Sequence, residues 1–341
     1  MTDALSASGG APIIGVLGRG VPLELIDAAG AVAHRIAGDA EADRAEADRW
    51  LGRGIDPIAN AVLAGLFAAR FAPYAGIAVS NDSEAGLRLY YVLRELARVD
   101  PAAGVPPLHL VEVAHLDRPT SRDYTRAEFA RFADILRLWT GAPLDDAAIA
   151  DSIAARETRR TDLASRRAHL SGTRFLDLRL RLDRADEPDP AAADVPRSSR
   201  NRRIILSGSG HDETGVVASI EAAGFDVVGD DHPDGELGLG LTCRTPTVDG
   251  LADRYSADGP TPHRSAPAER AAHLAALVAE RAADAVIVYV RRHDDAPLWD
   301  LAAQRARVGV PIAVVDDQLY GRIDLRELES ALIATGGVSH G

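Results

Sequence analysis

The sequence predicts an α/β protein made of two parallel-sheet lobes with a helical segment between them. Two stretches, 1–118 and 203–341, alternate short apolar runs of strand length with longer runs at helical period, the pattern of strand–helix–strand units. Between them, from Ser121 to about Leu170, the pattern is helical. At 341 residues the chain is also long for one hydrophobic core, which favours two domains of ordinary size and a smaller helical piece.

The first lobe opens with strand-like Ile13–Leu17 and Ala31–Ile36, followed by an apolar helix over Pro57–Phe71. Gly76–Ser80 is a strand running into Asn81-Asp82, Glu84–Arg98 an amphipathic helix and Leu108–Val113 a further strand. Ser121 begins a helix with apolar positions Phe129, Phe132, Ile135, Leu136 and Trp139, and Gly141 stops it. Pro143-Leu144-Asp145-Asp146 starts another that continues through Ile149 and Ile153. Asp183–Arg202 is rich in Pro, Ala, Asp and Arg and lacks apolar periodicity, so it predicts a linker.

The second lobe begins with the buried strand Arg203–Leu206, which ends in the loop Ser207-Gly208-Ser209-Gly210. A helix through Ile220, a strand at Phe225–Val228, a long loop from Asp230 to about Pro267 and a helix to Arg281 follow. The strand Ala285–Val290, a helix around Leu298–Arg305, the strand Pro311–Val315 and a helix from Leu325 complete it. The expected division is 1–118 for the first lobe, 119–182 for the helical segment, 183–202 for the linker and 203–341 for the second lobe. Both lobes are expected to be open sheets of the Rossmann or flavodoxin type.

Hydrophobic residues make up 46% of the chain and charged residues 26%, enough for a packed, soluble core. The net charge is −13 and the arginines are scattered among carboxylates, so no positive stripe is offered to a nucleic-acid backbone. There is no lysine, which excludes a Schiff-base or Walker-type lysine mechanism. No apolar run reaches the roughly 18–20 residues that span a bilayer. The opening MTDALSASGGAP has neither a basic nor an apolar signal region, so a cytoplasmic location is expected. Cys243 is the only cysteine, and one thiol cannot supply the several thiolates of an iron–sulfur or structural zinc site.

Gly15-Val16-Leu17-Gly18-Arg19-Gly20-Val21-Pro22-Leu23-Glu24-Leu25-Ile26-Asp27-Ala28-Ala29-Gly30 resembles the opening of 2-hydroxyacyl-CoA dehydratase and benzoyl-CoA reductase subunits. There a cysteine stands a few residues before Pro-x-Glu-Leu-Ile and Ala-Ala-Gly. Asp56-Pro57-Ile58 resembles the family's Cys-Pro-Leu/Ile segment, and Val79-Ser80-Asn81-Asp82 its strand ending in Thr-Cys-Asp. Arg203–Gly208 resembles the strand opening the second lobe, Leu251-Ala252-Asp253-Arg254-Tyr255 its Leu-Ala-x-x-Tyr, and Asp284–His293 the strand leading to a late cysteine. The segment Asp317-Gln318-Leu319-Tyr320-Gly321-Arg322 is shorter than the family's loop ending in Gly-Gln-x-x-Thr-Arg.

The resemblance implies a cluster beside a CoA thioester, fed single electrons by an ATP-hydrolysing activator, in an enzyme of two homologous subunits. At the family's cysteine positions this chain has Gly18, Asp56, Asn81, Ser209 and His293. None is an equivalent soft ligand, so the 4Fe-4S cluster is expected to be absent and no other cofactor or metal is expected. The expected function is a cluster-free subunit pairing with a cysteine-bearing homologue and supporting an acyl-CoA site. Rival readings are a stand-alone acyl-CoA or small-ligand binding module, and a cluster-independent acid–base enzyme acting on a thioester through Glu24 or His293.

Gly18, Asp56, Asn81, Ser209 and His293 are thus the candidate pocket residues, with the face near Gly18, Asn81 and His293 expected to lie between the lobes. Glu24 is the candidate catalytic residue, although a carboxylate at a helix start is equally explained by the helix dipole. Ser209 could present backbone N–H groups to a phosphate or carbonyl, with a plain strand-to-helix turn the simpler reading. Asp56, Asp82 and His293 could meet as an oxygen/nitrogen metal site, with space-filling preferred. His211, His232, His263 and His273 are expected on the surface or in loops, and Cys243 is an ordinary thiol that Arg244 would activate if exposed.

Overall fold

Ile13–Leu17 is apolar or Gly at every position and buried at every position, which a strand can be only if both faces of its sheet are covered. The structure, a computed structural model, describes residues 10–71, 73–184, 201–257, 259–262 and 264–335. In the first lobe β1 (Ile13–Leu17), α1 (Leu23–Ala28), β2 (Val32–Arg35), α2 (Ala45–Leu51), α3 (Pro57–Ala68), β3 (Tyr74–Ser80), α4 (Glu84–Val99) and β4 (Leu108–Val111) follow in order. The strands form one parallel sheet, β2-β1-β3-β4. Leu63, Phe67, Leu89 and Leu93 of α3 and α4 cover one face, and Leu25 and Ile26 of α1 with Phe129, Phe132 and Leu136 cover the other.

Those last three residues come from α5 (Pro119–Thr140), whose end is set by Gly141 at φ +70°. Asp145 then caps α6 (Asp146–Arg166) by accepting from Ala148 N at 2.8 Å, and α7 (Gly172–Arg184) leads towards the second lobe. That lobe contains β5 (Arg202–Gly208), α8 (Gly215–Ala222), β6 (Phe225–Asp230), α9 (Val248–Ala257), α10 (Pro267–Arg281), β7 (Ala285–Arg291), α11 (Leu301–Arg307), β8 (Ile312–Gln318) and α12 (Leu325–Ala334). Its sheet is again parallel, in the order β6-β5-β7-β8. The predicted fold class, α/β with two parallel-sheet lobes, is the observed one.

Several local expectations are corrected. The expected loop from Asp230 to Pro267 contains α9, and its Leu251 and Ala252 sit in the core of the first lobe beside Phe129. The second half of the chain therefore braces the first. The helix expected over Pro57–Phe71 stops at Ala68, because Arg70 and Phe71 turn to left-handed φ values of 41° and 59°. Of the expected linker, Asp183 and Arg184 belong to α7 and Arg202 to β5, while 185–200 lie outside the described residues. No described helix is long and apolar enough to cross a membrane.

Candidate functional site

In each sheet the first and third strands of the lobe lie side by side at the point where chain order reverses, so the loops leaving them diverge and open a crevice. These are β1 and β3 in one lobe and β5 and β7 in the other. The two crevices face a shared cavity of about 640 Å³, lined from both lobes and from α6, α7 and α9.

Gly18, Asp56, Ser209 and His293 line this cavity. Gly18 follows β1 with φ +84°, and a Cβ there would collide with Ser80 Oγ and the Asp82 carboxylate. Asp82 occupies that space because it accepts from the backbone N–H groups of Arg19 and Gly20. Asp56 caps α3 through Ile58 N, 3.1 Å away, and faces the second lobe, where Arg291 donates Nε to Oδ1 at 2.8 Å and Nη2 to Oδ2 at 2.9 Å. His293 is exposed in a left-handed conformation, φ 62°, in the turn after β7.

Asn81 is not part of the cavity wall. Its amide is exchanged with the backbone of Val113, accepting from N at 3.0 Å and donating to O at 3.3 Å, so it ties the end of β3 to the segment after β4. Ser209 has no N–H to offer a ligand, because its N–H donates to Tyr289 O at 2.8 Å. Its hydroxyl donates to Asp294 Oδ2 at 2.5 Å and accepts from Arg291 N at 3.0 Å. Among the described residues no three His, Cys, Asp or Glu side chains gather as a metal site, and Asp56, Asp82 and His293 do not meet as one.

Glu24 lies behind the wall and is completely buried. Its Oε1 accepts from Arg160 Nη1 at 2.8 Å and Arg254 Nη1 at 3.1 Å, and its Oε2 from the Tyr255 hydroxyl at 2.9 Å. Burial pushes its pKa up, but Arg254, Arg160 and Arg156 outweigh that and hold it at about 2. A carboxylate so engaged neither donates nor accepts protons near neutrality, so its role is to position the arginines that do line the cavity.

Sequence reasoning missed the rest of the charged wall. Asp183 of α7 receives Arg35 Nε at 2.9 Å and Arg179 Nη1 at 2.6 Å, and Arg19 joins it while also reaching Asp234 of the second lobe. Burial raises the Asp183 pKa, but the three guanidinium groups lower it well below the carboxylate range. Burial and then Arg19 lower Arg35 to about 10. Elsewhere in the wall Asp212 accepts from Gly38 N at 2.8 Å and the Tyr320 hydroxyl at 2.9 Å, linking the lobes again. Burial raises the pKa of Asp212 and of Asp294, so the wall holds weakly acidic carboxyl groups as well as guanidinium groups.

His211 and His232 lie in loops as expected but not at the surface, His273 lies in α10, and Cys243 is the ordinary thiol expected. His211 and His232 are buried, with rings 5.1 Å apart, and burial holds both below the usual histidine pKa. His273 is partly buried, and His263 lies outside the described residues. Cys243 packs partly buried against the first-lobe core, donating Sγ–H to Thr245 O at 3.0 Å, and burial raises its pKa, so Arg244 does not activate it.

Such a molecule is a two-lobed α/β protein with a charged cavity between the carboxyl ends of its parallel sheets. Over residues 20–316 the chain matches the family described as 2-hydroxyglutaryl-CoA dehydratase, D-component, and it belongs to that family. The family places it among the components of dehydratase-type complexes. No curated protein matches it. Among solved structures it is similar to the SBP FpvC in complex with Ni2+ from P. aeruginosa, at 10% identity over 96% of this chain and 94% of that one. The TM-score of 0.21 is too low for that likeness to carry an argument.

An iron–sulfur cluster is held by several thiolates. Gly18, Asp56, Asn81, Ser209 and His293 do not fit that group, because they supply no thiolate and Asp56, Asn81 and Ser209 are engaged by Arg291, Val113 and Asp294.

Proposed function

We propose that this chain is the cluster-free subunit of a 2-hydroxyacyl-CoA dehydratase or benzoyl-CoA reductase type of complex, cytoplasmic and dimeric with a homologous cysteine-bearing subunit. In this reading its inter-lobe cavity supports an acyl-CoA site that the partner completes with its own cluster. One observation supports it: the chain belongs to the family over residues 20–316, yet it has a single cysteine, and Asp56 and Asn81 are taken up by an inter-lobe ion pair and a backbone tie. The residues that remain bind and orient. Arg19, Arg35 and Arg179 fix charge in the wall, while Asp212 and Asp294 offer carboxyl groups that ionise late.

A second reading, a stand-alone acyl-CoA binding module, is favoured by the fact that this chain alone builds a cavity of about 640 Å³. Anaerobic reconstitution with iron and sulfide separates the two from a cluster-bearing enzyme. The chain alone is expected to take up neither at stoichiometric level, and the chain with its cysteine-bearing homologue to take up both and to dehydrate a 2-hydroxyacyl-CoA. A brown protein with a full complement of iron and acid-labile sulfide from this chain alone overturns the proposal.

A further inference from the structure

We propose that the part of the cavity wall formed by Arg159, Arg160 and Arg254 is an oxyanion-recognition site, which takes a phosphate or carboxylate group of the cavity's ligand. This rests on the reading of the cavity as a ligand site and deepens it by naming the chemistry of one end.

The chain as a whole is acidic, at −13, yet this wall concentrates positive charge. Arg156, Arg159 and Arg160 stand at i, i+3 and i+4 on α6, so they share one face, and all three line the cavity. Two carboxylates lie behind them and both are engaged. Asp27 takes Arg156, with Nη2 2.8 Å from Oδ1, and Glu24 is shared between Arg160 and Arg254. Arg159 adds a further guanidinium, exposed at the rim, with no ion-pair partner among the described residues.

The nearby carboxylates do not restore the balance. Glu157, beside Arg156, accepts from the backbone N–H of Cys243 and offsets one more guanidinium, while Asp253, beside Arg254, is held by Arg126 with Nη2 2.8 Å from Oδ2, so four arginines face three carboxylates. Further along the wall three arginines meet on Asp183, and Asp234 and Asp82 stand beside Arg19, so charge balances there and the excess is confined to the Arg159, Arg160 and Arg254 end. Charged groups removed from water need partners, and a guanidinium presents parallel N–H donors that match a phosphate or a carboxylate. Glu24 fixes the forks of Arg160 and Arg254 without neutralising both, which preorganises the site before a ligand arrives. Glu24 is in this respect a positioning residue.

The test uses the full chain alone, titrated at pH 7 with pyrophosphate and, separately, glutarate, read by calorimetry and thermal shift. At least one anion is expected to bind saturably, more weakly as sodium chloride is added. Pyrophosphate binding assigns the site to a phosphate of the ligand, and glutarate binding to a carboxylate. Arg159→Ala is expected to weaken binding several-fold, Arg159→Gln to do the same and Arg159→Lys to keep most of it. Arg98→Ala, on the outer face of α4 and outside the cavity, is the control and should bind as the wild type does. Arg159 is exposed and without an ion pair, so its replacement leaves the fold intact. Failure of both anions to bind, or wild-type affinity in Arg159→Ala and Arg159→Gln, overturns the site. If the chain assembles with a cysteine-bearing homologue but binds neither anion, this site falls and the subunit reading stands. If it binds the anion but does not assemble, the reverse holds.

Discussion

Arg291, where β7 ends in the second lobe, grips Asp56, the residue that caps α3 in the first, through two parallel hydrogen bonds of 2.8 and 2.9 Å. The carboxylate thus serves two purposes: it starts a helix and fastens one lobe to the other. Asp56 thereby couples the first turn of α3 to the end of β7 across the gap between the lobes.

Breaking the clasp from one side leaves a mostly buried charge without its partner. Arg291→Ala and Asp56→Ala are each expected to cost about 3 kcal/mol of stability, and the double variant less than the sum. Chemical denaturation of the four proteins checks this. Strict additivity would mean that the pair does not couple the lobes.

Gly18 should tolerate a side chain much less well than Gly104 does. Gly104 has a similar φ of 72° but nothing within 4 Å of where a Cβ would stand, so Gly104→Ala carries backbone strain alone, about 1 kcal/mol. Gly18→Ala and Gly18→Cys add the collision with Ser80 and Asp82 and should cost at least ~2 kcal/mol, lowering the thermal midpoint clearly more than Gly104→Ala does. Introducing a cysteine there is therefore not expected to create a cluster ligand.

How far the sequence reached is visible in particular residues. Ile13–Leu17, Phe225–Val228 and Ala285–Val290 were legible because these stretches are mostly apolar and buried on both faces, and the structure extends the last two to Asp230 and Arg291. α9 was not, since its ten residues carry Asp249, Asp253 and Arg254 and leave only a short apolar patch. Asn81 and Asp82 show the limit for the site, because one step along the chain exchanges a structural tie for a cavity wall. The Arg19–Asp234 and Arg35–Asp183 contacts join residues more than a hundred positions apart and have no local pattern. His211 and His232 lie among Gly and Asp, a composition that reads as exposed loop, yet the second lobe closes over them.

Those two histidines make the protein acid-sensitive in a specific window. Burial lowers their pKa below the ordinary 6.5, so the unfolded chain takes up protons that the folded chain refuses. Stability should fall as pH drops below about 6.5. His211→Phe removes one such group and should flatten the stability profile between about pH 6.5 and 5. An unchanged slope there would show that the pair titrates normally.

Glu24 acts in a lower window. Its pKa is about 2 against an ordinary 4.5, so its contribution is complete above about 4.5 and is lost as pH falls towards 2. The shift corresponds to ~3 kcal/mol. In Glu24→Gln the acid limb below pH 4.5 should be shallower, with lower stability near neutrality because Arg160 and Arg254 lose their shared carboxylate. Wild-type behaviour in both windows would contradict the account of Glu24 as an ionised anchor.

The central claim is that this chain is one half of a two-subunit site. Co-expression with a cysteine-bearing homologue, followed by anaerobic size-exclusion chromatography with light scattering and an iron assay on the peak, tests it most directly. The account predicts a one-to-one complex at micromolar concentration, with all of its iron and sulfide attributable to the homologue and full activity only in the complex. Two independent monomers, with the homologue fully active by itself, would contradict it.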